Sequence, residues 1–277
     1  MKKNIYVLSG LGADERVFGN LDFGNFEPHF IRWIPPLENE KMRDYALRLC
    51  SQIGDEKPIV LGVSFGGMLA VEIAQLIDCE RVVIISSAKS RKEIPLLYRI
   101  FGRTNLLKFI PISFFKQANF MTFWFFGMTT KDEKTLLKSI IKDTDNSFLK
   151  WAMNAIMTWE KDDNFTQNLT HIHGEKDRIL PLKKSIKVDF KIPDGGHLMV
   201  YNQAGKIADQ AGNSPPGFWK AVMLWCVFRE RKRLKICPCS RFLAEMLANN
   251  LIDPEKNFHK IKVRAIKMGM DGFLGRP

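Results

Sequence analysis

The stretch Pro58-Ile59-Val60-Leu61-Gly62-Val63-Ser64-Phe65-Gly66-Gly67 decides how this chain is read. Pro58 to Val63 is a short apolar, β-branched run without polar alternation, the pattern of a strand buried on both faces, and Gly66 to Ile77 repeats small and apolar residues as a buried helix would. A serine at so sharp a strand-to-helix junction has to take a strained backbone. Glycine at 62 and 66 lets the strand and the helix approach closely enough to make the turn. Gly-x-Ser-x-Gly also occurs in ordinary glycine-rich turns, so the rest of the sequence must supply partners for Ser64.

A serine hydroxyl is a weak nucleophile at neutral pH and needs a base, usually histidine, which in turn needs an orienting acid. Both are present, in order. His173-Gly174-Glu175-Lys176-Asp177-Arg178-Ile179-Leu180-Pro181 follows an apolar run, and Gly195-Gly196-His197 lies 20 residues beyond Asp177. His171 and His173 alternate on the run before Asp177 and read as structural, His173 orienting the acid-bearing loop. A metal site at this pair would draw on Glu175 and Asp177 as further ligands and so remove the acid, which makes it the weaker reading. His29 and His259 have no accompanying motif.

Outward from these motifs, Ile5 to Ser9, Phe30 to Ile34, Ile59 to Val63, Val82 to Ser86, Leu169 to His173 and Val188 to Ile192 read as buried parallel strands. Helix-like stretches such as Met42 to Ile53, with Tyr45, Leu49 and Ile53 along one face, separate them. Strand and helix alternate, so the class is α/β. Residues 88–165 interrupt the alternation with a helical, aromatic-rich insertion that reads as a cap over a core made of 1–87 and 166–210. Seven of the 21 Phe, together with Trp124, fall within residues 109–126 beside a single charge, Lys116. That density suits an apolar surface facing a site or a membrane, and equally a glue between cap and core. It nominates Phe120, Phe123 and Trp124 as substrate-binding. Thr130 to Trp159 reads as amphipathic helices, capped by Thr129 or Thr130 above Asp132-Glu133.

The 277 residues, 45% apolar and 26% charged, exclude global disorder and a polytopic membrane protein. The net charge of +12 is concentrated, with +8 from residue 211 onward and +4 before it. With the breaker cluster Ser214-Pro215-Pro216-Gly217 this marks 211–277 as a basic, helical C-terminal extension of no identified role. Its run Arg229 to Lys235 reads as a solvated face rather than a nucleic-acid site. Cys50, Cys79, Cys226, Cys237 and Cys239 form no disulfide framework or four-ligand zinc spacing. Ile5 to Leu8 is too soon interrupted for a signal peptide, and no apolar stretch reaches the roughly 18–20 residues that cross a bilayer. A cytoplasmic protein is the expectation.

Taken together, the Gly-x-Ser-x-Gly turn, the His-Gly-x-x-Asp-x-x-x-Pro pattern and the late Gly-His resemble the α/β-hydrolase superfamily, specifically its small members with a helical cap, over about residues 4–210. The resemblance implies a mostly parallel sheet of about six strands that lacks the family's first hairpin. It implies Ser64 as nucleophile, His197 as general base and Asp177 as the acid of a triad, with no cofactor and no metal. Ser9-Gly10-Leu11-Gly12 resembles the family's His-Gly-x-Gly loop, so the N–H groups of Leu11 and Phe65 are implied as oxyanion donors. Ser9 in place of the usual histidine leaves the shape of that loop open. The activity implied is a serine hydrolase acting on a small-molecule ester or thioester with a hydrophobic acyl group. The alternatives are an amidase, peptidase or acyltransferase on the same residues, and a non-catalytic ligand-binding or membrane-surface protein using the aromatic cap and the basic tail.

Overall fold

The computed structural model describes residues 2–24, 26–104, 110–161 and 168–211, so the expected C-terminal extension lies, but for its first residue, outside the described residues. Six strands, β1 (Lys3–Leu8), β2 (Phe26–Phe30), β3 (Ile59–Val63), β4 (Arg81–Ile85), β5 (Leu169–Gly174) and β6 (Phe190–Ile192), form one sheet in the order β2-β1-β3-β4-β5-β6. Every pairing is parallel, with Leu8 beside Gly62, Val63 beside Ile85, and Gly174 beside Ile192.

The apolar runs are continuous because both faces of the sheet are covered, and successive residues feed opposite cores. Val60, Val82 and Ile84 join Tyr45, Leu49, Phe65 and Leu69 on one side. Ile59, Leu61, Val63, Val83 and Ile85 join Met199 and Ile207 on the other. Helices α1 (Met42–Leu49) and α2 (Phe65–Ile73) cover the first face. The apolar face expected over Met42 to Ile53 is met by α1 continued in a 3₁₀ turn, Cys50–Gln52.

One strand differs from its expected place. The second lies at Phe26–Phe30, where Phe30 to Ile34 is expected. Glu27, Pro28 and His29 make a poor apolar run, but this is an edge strand, where a proline without an N–H is tolerated and polar residues reach solvent. Beyond Ile31, whose N–H reaches the Val7 carbonyl, the chain leaves the sheet, and Ile34 exchanges hydrogen bonds with the Tyr45 hydroxyl.

Between β4 and β5 the described residues hold α3 (Leu96–Thr104), α4 (Ile112–Phe115), α5 (Phe120–Phe126), α6 (Lys131–Asp143) and α7 (Asn146–Met157). Thr130 caps α6 in a reciprocal box, its hydroxyl accepting from the Glu133 N–H while the Glu133 carboxylate accepts from the Thr130 N–H. After β6 follow α8 (Met199–Asn202) and α9 (Ala204–Ala211).

Candidate active site

In a parallel sheet the loops leaving the carboxyl ends of the strands share one edge, and there this chain brings Ser64, Asp177 and His197 together. Ser64 follows β3 with φ 54° and ψ −120°, a backbone that a non-glycine residue holds only when its surroundings over-determine it. They do. The Ser64 N–H donates to the Ile85 carbonyl at 2.9 Å, and the Ser87 hydroxyl donates to the Ser64 carbonyl at 2.6 Å. A Cβ on Gly62 would overlap the Gly66 carbonyl, and one on Gly66 would overlap the Ser9 carbonyl. Both glycines are therefore demanded by the approach of helix and loop to the strand ends.

Ser64 Oγ lies 2.8 Å from His197 Nε2, and His197 Nδ1 lies 2.8 Å from Asp177 Oδ2. The other carboxylate oxygen of Asp177 accepts the N–H groups of Ile179 and Leu180, both at 2.9 Å. An ionised carboxylate can only accept, so His197 carries its hydrogen on Nδ1 and turns the lone pair of Nε2 toward Ser64. Burial works to raise the Asp177 pKa, but the adjoining His197, His173 and backbone donors overcome it and hold the carboxyl below its ordinary range. Asp177 and His197 are buried, while Ser64 stays partly open to solvent.

Behind this chain sit His173 and His171, both buried. His173 Nε2 donates to the Leu180 carbonyl at 2.8 Å and passes 3.5 Å from Asp177 Oδ2. Because that nitrogen carries the hydrogen, His173 Nδ1 is a lone pair, and it accepts from His171 Nε2 at 3.1 Å. The pair thus ties the loop bearing Asp177 to the strand beneath it. Burial, then the neighbouring His173 and Lys89, lower the His171 pKa to about 3, so the side chain is neutral at ordinary pH.

Ser9 fixes the loop whose shape the sequence leaves open: its hydroxyl donates to the Ala13 carbonyl at 2.6 Å, and the Trp33 indole donates to the same carbonyl at 2.8 Å. A Cβ on Gly10 would lie 3.6 Å from Ser64 Cβ, so the Ser9–Gly12 loop stands beside the serine. Phe65 opens α2, where its N–H has no intrahelical acceptor. The Phe65 ring is fully buried against Trp33, Phe148 and Trp151, which anchors the first turn.

The aromatic candidates are placed differently from one another. Phe120 is 82% exposed, Trp124 stacks under the Arg178 guanidinium at 4.2 Å, and Phe123 packs toward the second core beneath Lys138. The ring that meets His197 is Phe126, edge-on with centroids 5.8 Å apart. Gly127, at φ 73°, brings it there by letting α5 end against the Gly196 backbone. Phe126 and Ser87 are the two site residues the sequence reading misses, and the glycine closing the aromatic run is the signal for the first. A separate cavity of about 540 Å³ is bordered by Ser9, Ala13, His29 and Trp33 and contains none of Ser64, Asp177 and His197.

The model of the Alpha/beta hydrolase family matches residues 8–210. No curated protein matches the sequence. Among solved structures, a thermophilic esterase from Thermogutta terrifontis is similar at 14% identity and TM-score 0.54, over 84% of this chain and 90% of that one. A lipase-esterase related protein from Clostridium acetobutylicum ATCC 824 is similar at 13% identity and TM-score 0.57, over 76% and 94%. A hydrolase from Oleispira antarctica is similar at 12% identity and TM-score 0.54, over 74% and 88%. At these identities the likeness is one of fold.

Proposed function

The chain belongs to the alpha/beta hydrolase family, and from that premise we propose that it is a serine hydrolase cleaving a carboxylic ester or thioester with a hydrophobic acyl group. The observation that carries this reading is the unbroken hydrogen-bond chain from Ser64 Oγ through His197 to Asp177. In it, His197 Nε2 takes the hydroxyl proton as Ser64 attacks the acyl carbon. Asp177 remains ionised and stabilises the imidazolium that forms. The tetrahedral oxyanion accepts from the N–H groups of Leu11 and Phe65, each such donor being worth about 10²–10³ in rate. His197 then protonates the leaving oxygen or sulfur, and water repeats the sequence on the acyl-enzyme.

An apolar acyl group is supported by the Phe126 edge beside His197. The names of the esterase and the lipase-esterase related protein among the similar structures support ester cleavage as the reaction. Fluorophosphonate labelling with an ester panel of increasing acyl length tests the reading: the wild type should label and turn over, Ser64→Ala should do neither. Undiminished turnover by Ser64→Ala would exclude the acyl-enzyme.

A further inference from the structure

Of the ten large apolar side chains exposed among the described residues, eight lie on α3, α4 and α5, among them Leu97, Phe114, Phe120 and Trp124. Helices α3 and α4 both pack on α7, and α5 follows α4 with the Thr122 hydroxyl bonded to the Gln117 carbonyl between them. Along α3, α4 and α5 the β4–β5 connection therefore turns aliphatic and aromatic groups outward, far more than scattered surface residues would supply.

The charges of this region have one sign. From Ile94 to Lys131 the chain carries five Lys or Arg and no Asp or Glu, although at its overall frequency of 30 acidic residues in 277 about four would fall there. Arg103, closing α3, and Lys131, opening α6, are exposed, and Arg178 lies over Trp124.

We infer that the outward face of α3, α4 and α5 is a docking surface for an anionic lipid bilayer. Aromatic and aliphatic side chains enter the boundary between headgroups and acyl chains, while flanking cations meet lipid phosphates. A second copy of this face would set cations against cations, with no carboxylate between Ile94 and Lys131 to receive them. The surface is defined without the chemistry of Ser64.

Co-sedimentation of the full chain with phosphatidylcholine vesicles, with and without phosphatidylglycerol, tests it. The wild type should bind the phosphatidylglycerol vesicles and be released by salt. Leu97→Ser with Phe120→Ser should weaken binding by about tenfold or more. Arg103→Gln with Lys131→Gln should weaken it on the order of 20-fold and decides the matter if the apolar variant fails to fold. Ser64→Ala should bind as the wild type, so failure of the hydrolase reading leaves this result intact. The inference is overturned if the wild type does not bind, if both double variants bind as it does, or if sedimentation velocity shows the face used only for self-association.

Discussion

Helices α2 and α5 are both built almost wholly of apolar residues, yet every residue of Phe65–Ile73 is buried and none of Phe120–Phe126 is. The difference is one of connection. α2 leaves β3, an interior strand of the sheet, through a junction so tight that a Cβ on Gly62 would overlap the Gly66 carbonyl, and it has nowhere to lie except on the sheet. α5 sits within the long β4–β5 connection and is held by its edges, through Arg178 on Trp124, Gly127 on Gly196 and Phe126 on His197. Apolar composition says that a helix wants cover; the length of its tether decides whether the fold can provide it.

The largest expected effect belongs to the tightly tethered side. Asp177→Asn should lower kcat by about 10⁴, because an amide N–H facing His197 favours the wrong imidazole tautomer. Asp194→Asn should leave kcat near wild type, since Asp194 is exposed and paired with Lys176. Should Asp194→Asn prove the more damaging, the acid would have to be reassigned.

Stability measures the contrast directly. Leu69, fully buried in α2, should cost about 2–5 kcal/mol when changed to alanine. Phe120→Ala, deleting a larger side chain from α5, should change unfolding free energy by less than about 0.5 kcal/mol. Urea titrations of the two variants decide it, and comparable losses would mean that α5 is covered in solution.

The buried side should also be the acid-sensitive one. An unfolded chain protonates His171 near the ordinary value of 6.5, whereas the folded chain does so only near 3. Between those values the unfolded state holds one more proton, so stability is present above pH 6.5 and falls by about 1.4 kcal/mol per pH unit as acid is added. His171→Gln should therefore lose less stability than the wild type between pH 7 and pH 5. Parallel losses would remove His171 as the cause.

The same contrast governs what the sequence discloses. β3 and β4 are legible because strands buried on both faces read as unbroken apolar runs, whereas β2, carrying Glu27 and Pro28 on an exposed edge, is not. Ser64, Asp177 and His197 are legible because each stands in a turn that demands particular residues at fixed spacing. Ser87 carries no such motif, and its bond to the Ser64 carbonyl exists only because β3 and β4 are neighbours. The Phe-rich segment announces its apolar character without saying which ring faces inward, and so Phe120, Phe123 and Trp124 are as plausible from the sequence as Phe126.

Phe126 gives the sharpest test of how α5 differs from α2. Its ring is the part of α5 that meets His197, and a partly buried aromatic face beside a bound acyl group should contribute about tenfold in kcat/KM. The form of the loss is more informative than its size. If the ring lines the acyl path, Phe126→Ala should cost little with an acetyl ester and progressively more as methylenes are added, flattening the dependence on chain length. If the ring only steadies His197, every ester should lose the same factor, and the loss should appear in kcat rather than KM. Unchanged kinetics at all chain lengths would place the acyl group elsewhere, leaving α5 as an outward-facing helix whose contact with the site is incidental.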